Sequence, residues 1–112
     1  MNISQELRNQ VLVLVIDEQR LDAAKAPMLR DAIATQINEG HKLIAIDIGA
    51  ANFMDSSGLS ALVSSLKLLG ASGRIAIVGA HGAVQRLFAL TRMDKVFSLH
   101  ASIDEAVAKL EG

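Results

Sequence analysis

The segment NFMDSSGLSALVSSL, residues 52–66, concentrates the side chains of this sequence that could do chemistry. Asp55 is followed by two hydroxyls, Ser56 and Ser57, and then by Gly58, after which apolar residues recur at helical spacing. An acid and two serines where a strand leads into a helix could belong to a hydrolase, cap the helix or accept a phosphoryl group. The rest of the chain discriminates between these alternatives.

A serine hydrolase needs a base beside its nucleophile and usually presents the serine in a G-x-S-x-G turn. The first glycine of that turn is missing here. The available bases are His41 after a helix-closing glycine, His81 in a GAHG loop and His100 after a strand, all ordinary positions for a histidine. The sequence therefore argues against a catalytic triad, and we expect no catalytic residues.

Metal, nucleotide and RNA sites lack a motif as well. No two histidines stand four residues apart, there is no cysteine, and Asp17, Asp47 and Asp55 match no cation-binding loop. The nucleotide-binding patterns G-x-x-x-x-G-K-[ST] and G-x-G-x-x-G are both absent. The GAHG loop lacks the basic flanking residues that an RNA-binding loop would have. We expect no metal and no cofactor.

A helix start is the simplest structural role of DSSGL. Asp55 or Ser56 can accept hydrogen bonds from the first unpaired amides, a cap that contributes about 1 kcal/mol. That role does not explain Gly58, because glycine inside a helix costs up to about 1 kcal/mol relative to alanine. We expect the glycine to leave the neighbouring serine accessible to another protein.

A serine at such a helix start is also a good phosphoacceptor. The helix dipole and free amides would tolerate the added charge of about −1.5 to −2. Beside Asp55, a phosphoryl group would repel a partner that docks through an apolar or acidic surface. From the residues alone, DSSGL is thus a helix cap, a phosphorylation switch, or both.

Alternating strands and helices are predicted to position this segment. Apolar runs predict buried strands at 11–16, 42–48 and 74–79, with a preceding strand in NISQEL, a hairpin at RNQ and a last strand at VFSL. Helices are predicted at 23–39, 59–69, 83–90 and 102–110. Strands separated by single helices pair in parallel, and function collects at their carboxyl ends, where Asp17, Asp47 and Asp55 lie.

Composition narrows the class of protein. A chain of 112 residues that is 51% apolar can close one core, which predicts one domain. The absence of cysteine is compatible with a reducing compartment, so we expect a cytoplasmic protein. A net charge of −1 and only three aromatic residues argue against a nucleic-acid partner. The N-terminus is polar and the apolar runs are short, which argues against membrane insertion.

Four stretches together resemble the STAS domain, and more narrowly the bacterial anti-sigma factor antagonists. They are LDAAKAPMLRDAI (21–33), INEGHKLIAIDI (37–48), FMDSSGLSAL (53–62) and VQRLFALTRMDKVFSLHASIDEAV (84–107), so the resemblance covers nearly the whole chain. It implies a single STAS domain over residues 1–112, an α/β fold with a mixed, mostly parallel sheet of about five strands and helices packed mainly on one side.

The resemblance also implies a function. Such antagonists bind an anti-sigma factor that is itself a serine kinase, which phosphorylates the serine before the motif glycine, here Ser57, and so ends the interaction. A serine phosphatase restores the unphosphorylated form. The residues implied in partner binding are Asp55, Ser56, Ser57, Gly58 and Leu59, together with Asp17 and with Asp22 of the RLDAAKA loop. The alternative is a STAS subunit of a lipid-transport ATP-binding-cassette system or a stress-signalling scaffold without a phospho-switch; the oligomeric state is open.

Overall fold

A five-stranded mixed sheet forms the centre of the computed structural model, which describes residues 1–112. Along the chain, the strands are β1 (Ile3–Arg8), β2 (Val11–Ile16), β3 (Arg20–Leu21), β4 (Leu43–Asp47), β5 (Phe53–Met54), β6 (Arg74–Val78) and β7 (Ser98–His100). The sheet order is β1-β2-β4-β6-β7. β1 pairs antiparallel with β2, and every other pair in this sheet is parallel, which confirms the predicted hairpin and crossovers.

Four helices complete the fold: α1 (Ala26–Asn38), α2 (Ser56–Leu69), α3 (Gly82–Leu90) and α4 (Ile103–Glu111). The predicted starts of the first two were wrong by three residues. α1 begins later because the Asp22 carbonyl accepts the amides of both Lys25 and Ala26 in a turn of its own. α2 begins earlier because Asp55, rather than a later residue, is its N-cap.

The helices lie mainly on one face of the sheet, as predicted. Alternate strand residues such as Leu14, Ile46 and Ile77 are fully buried beneath α1, α2 and α3. The opposite face is smaller and is covered by α4, which buries Ala106, Val107 and Leu110 against the strand residues Val11, Val13, Ala45, Ala76 and Val78. Because side chains alternate between faces along a strand, continuous apolar runs supply both layers.

A second, two-stranded sheet is not apparent from the sequence. β3 and β5 pair in parallel, with Arg20 opposite Phe53 and Leu21 opposite Met54. β3 leads towards α1 and β5 leads directly into α2. This short pairing therefore sets the two helix starts side by side at the carboxyl edge of the main sheet. None of the helices is long and apolar enough to cross a bilayer.

Candidate functional site

Asp55 joins the start of α2 to the loop that precedes α1. Its Oδ1 accepts hydrogen bonds from the amides of Ser57 (2.9 Å) and Gly58 (3.1 Å), which caps the helix as predicted. Its Oδ2 accepts the amide of Ala23 at 3.2 Å. One carboxylate thus fixes two segments that are 32 residues apart in the sequence.

Gly58 is required by a close approach of two backbones. It is buried in the first turn of α2, and a Cβ at this position would lie 2.2 Å from the carbonyl oxygen of Leu21 and 3.1 Å from Cγ of Met54. This contact is a structural reason for the glycine that is separate from the predicted accessibility of the neighbouring serine. Its missing side chain lets β3 pass against the helix start, and no sequence pattern reveals that contact.

Ser57 and Ser56 line an open groove of about 320 Å³ between α1 and α2. Ser56 is exposed and Ser57 is half-buried. The other lining residues are small or short except for one arginine: Ala23, Ala26, Pro27, Arg30, Ser60, Ala61 and Ser64. Arg30 is the only charged side chain of the nine, so the groove is uncharged apart from a single cation.

Most of the amides at the start of α2 are already occupied, and only that of Ser56 makes no hydrogen bond. Those of Ser57 and Gly58 donate to Asp55 Oδ1, and that of Leu59 donates to the Asp55 carbonyl oxygen. Fewer free amides therefore remain to tolerate a phosphoryl group on Ser57 than the sequence led us to expect. A new anion at this position must find most of its hydrogen-bond donors elsewhere.

The other predicted partner-binding residues lie in different environments. Leu59 is 7% exposed and faces the core, so that, like Gly58, it can position the serines but offers little surface. Asp22 pairs with Arg20, with Oδ2 3.5 Å from Nε, while its Oδ1 is buried without a hydrogen-bond partner. Asp17 is exposed after β2 and does not line the groove between α1 and α2.

Glu18 ties the loop before α1 to the start of the chain, a role that the sequence did not indicate. Its Oε2 accepts the amide of Asn2 at 2.7 Å, and its Oε1 accepts from Nζ of Lys25. The hydrogen bond from Asn2, followed by that from Lys25, lowers the pKa of the Glu18 carboxyl against the opposing effect of desolvation. Since Lys25 immediately precedes α1, this interaction ties the start of that helix to Glu18 and, through it, to Asn2.

The histidines do not assemble a triad with Ser57. Nε2 of His81 lies 3.1 Å from the carbonyl oxygen of Gly49, and Nε2 of His100 lies 2.6 Å from Oγ of Ser98. No group of three histidine or acidic side chains is arranged to hold a metal ion. The chemistry that the site offers is therefore that of one exposed and one half-buried serine hydroxyl beside a fixed carboxylate and the guanidinium of Arg30, which only Asp31 approaches.

Comparison with known proteins agrees with this architecture. The chain is 28% identical over 104 residues to the anti-sigma-F factor antagonist RsfB of Mycobacterium tuberculosis, covering 93% of this chain and 84% of that protein. The crystal structure of an anti-sigma factor antagonist from Mycobacterium paratuberculosis superimposes with a TM-score of 0.91 at 27% identity, over 99% of this chain and 94% of that chain.

A more distant match shows the same fold. The phosphorylated form of the Bacillus cell fate determinant SpoIIAA gives a TM-score of 0.73 at 22% identity, over 96% of this chain and 98% of that chain. The family model for the STAS domain matches residues 2–106. With the sheet order, the short β3–β5 pairing and the DSSG turn at the start of α2 in place, this chain belongs to the STAS domain family.

Proposed function

We propose that this chain is an anti-sigma factor antagonist that docks on its partner through the groove between α1 and α2 and is switched by phosphorylation of Ser57. The observation that best supports this proposal is the position of Ser57, which is half-buried in the wall of an open groove. Asp55 fixes the turn around it by accepting the Ser57 amide. The relative RsfB, which is named as such an antagonist, aligns with 93% of this chain.

The groove suits a protein partner. Its alanines, serines and single proline leave little side-chain bulk, so that the backbone of a docking segment can approach closely. A doubly charged phosphoryl group on Ser57 would occupy part of this space and add negative charge two residues from Asp55. Docking by an acidic or apolar segment would then be opposed by repulsion and by the cost of desolvating the phosphate.

Two enzymes act on this site in the proposed cycle. A serine-kinase anti-sigma factor transfers the γ-phosphoryl group of ATP to Oγ of Ser57, releasing ADP and a proton. A serine phosphatase then hydrolyses the phosphate ester with water and returns inorganic phosphate and the free hydroxyl. The chain itself is a cytoplasmic, non-enzymatic binding module without a cofactor, and Asp17 and Asp22 contribute to kinase recognition outside the groove.

Affinity purification from the native host tests this function. Ser57→Ala should retain a kinase-type anti-sigma factor in every growth condition, whereas Ser57→Asp should lose most of it. Ser72→Asp, which adds the same charge in the exposed turn after α2, is the matched control and should behave as wild type. Equal recovery of the partner by the Ser57→Ala and Ser57→Asp variants would refute the switch.

The same experiment separates the alternative. Recovery of an ATP-binding-cassette transporter subunit, indifferent to both substitutions at Ser57, would identify a constitutive STAS subunit instead. In that case DSSG would serve only as a helix cap and a docking surface.

A further inference from the structure

We infer that Arg30 is the counter-ion of phosphorylated Ser57, and that their pairing straps α1 to α2 across the groove. The inference rests on the proposed phosphorylation of Ser57 and assigns it a partner within the chain. Arg30 was not among the site residues that the sequence indicated, because it is 27 residues away and its own surroundings are those of an ordinary exposed helix residue.

Arg30 and the phosphoacceptor belong to one groove. Arg30 stands in the second turn of α1 and lines the same groove as Ser57 in the first turn of α2. Side chains on a helix lean towards its N-terminus, which directs Arg30 back towards the end of the groove where both helices begin. The long, forked side chain can offer two parallel N–H groups to phosphate oxygens.

The start of α2 can provide few of those donors itself, because only the amide of Ser56 makes no hydrogen bond. The amides of Ser57, Gly58 and Leu59 are all engaged by Asp55. Asp55 in turn adds a negative charge beside the modified serine. A cation from another element would offset these charges, and the groove contains only one.

The other positively charged side chains in this region already have interaction partners. Lys25 is paired with Glu18, and Arg20 is stacked over the ring of Phe53, 4.2 Å from its centroid, and close to Asp22. Arg30 approaches only Asp31, with Nε 3.7 Å from Oδ1. The Asp31 side chain is 77% exposed, so that contact is worth little and is readily given up for a phosphate.

The consequence is a switch with two parts. Phosphorylation adds charge to Ser57 and, through Arg30, draws a side chain of α1 across the groove. The surface proposed for docking is then covered as well as charged. Without the phosphate, Arg30 stays at the groove wall beside Asp31.

Phosphorus-31 NMR on protein that carries phosphoserine at position 57 tests the pairing directly. Phosphoserine is incorporated at position 57 during translation by genetic code expansion, so that no kinase is needed. A neighbouring guanidinium favours the dianion and lowers the second pKa of the phosphate from its usual value of about 6. We expect Arg30→Gln to raise that pKa by about half a unit or more, and Arg30→Lys to raise it less.

Arg86→Gln is the matched control, since Arg86 is an exposed arginine on α3 outside the groove and its loss changes the net charge equally. It should leave the titration as in wild type. Identical titrations of the Arg30→Gln and Arg86→Gln variants would overturn the inference. Amide spectra of both variants verify that the fold is retained.

Binding assays distinguish a failure of the Arg30 assignment from a failure of the proposed function. If phosphorylation abolishes anti-sigma factor binding while Arg30→Gln leaves the phosphate titration unchanged, the switch stands and the counter-ion assignment fails. If Arg30→Gln shifts the titration but phosphorylated protein still binds the anti-sigma factor as well as the unmodified form, the pairing stands and the proposed function fails.

Discussion

Gly58 in the first turn of α2 lies directly against the backbone of Leu21 in β3, so close that a Cβ would come within 2.2 Å of the Leu21 carbonyl oxygen. The contact involves backbone on one side and buried helix on the other, so neither can move without disturbing the β3–β5 pairing or the Asp55 cap. The glycine of the DSSG motif thus has a structural role that is independent of phosphorylation.

Gly58→Ala should destabilise the protein strongly. The added methyl group forces β3 and α2 apart, and overpacking of this kind costs about 3 kcal/mol or more when backbone has to shift. Chemical denaturation monitored by circular dichroism measures the loss. Ser60→Ala, an exposed change two residues further along the same helix, should stay within about 0.5 kcal/mol of wild type. Equal stabilities of the two variants would contradict the close approach.

Asp55 should contribute more than an ordinary helix cap. Asp55→Ala removes three accepted hydrogen bonds and should cost about 2 kcal/mol, the upper end for N-cap residues. Asp55→Asn should cost less, because an amide oxygen still caps α2 although its NH₂ group would face the Ala23 amide. The reference is Ser102→Ala, which removes a single bond at the start of α4 and should cost about 1 kcal/mol. Denaturant titrations rank the three variants.

Glu18 should make stability depend on pH in the acid range. Its pKa is lowered in the folded state by the Asn2 amide and Lys25, so its carboxylate stabilises the fold above its ordinary pKa of 4.5. This contribution is lost as the pH falls through the depressed folded-state value. The unfolding free-energy difference between wild type and Glu18→Gln should accordingly be largest near neutrality and shrink below about pH 4.5.

Glu39→Gln controls for the change in net charge at Glu18, since Glu39 is exposed and forms no ion pair. Its difference from wild type should be small at neutral pH. A Glu18→Gln difference that stays constant from pH 7 to pH 3 would show that the carboxylate does not hold the loop before α1.

Two residues near the end of α3 should differ sharply in their contribution to the stability of the protein. Phe88 is fully buried and packs edge to face with Phe97, with ring centroids 6.0 Å apart, so Phe88→Ala should cost about 3–5 kcal/mol. Leu90 is 83% exposed, and Leu90→Ala should leave the stability nearly unchanged. Thermal unfolding of both variants checks the contrast. A large loss for Leu90→Ala would mean that this side chain is covered in solution.

The sequence by itself determined the main sheet and the position of the DSSG turn. Uninterrupted runs such as VLVLVI identify buried strands. A single helix between two of these strands carries the chain back to the edge of the sheet where the first strand began, so the two strands run parallel. Asp55 before a periodic apolar stretch marks a helix start through local chemistry. These features depend on neighbours in the chain, which a sequence displays directly.

Only the tertiary structure decided what surrounds Ser57. The strands β3 and β5 have two residues each, too few to show any periodicity, yet their pairing brings the starts of α1 and α2 together. The contact of Gly58 with Leu21 and the groove shared by Arg30 and Ser57 both follow from that pairing. Contacts between residues about 30 positions apart leave no local pattern, because their geometry is set by packing and not by the identity of adjacent residues.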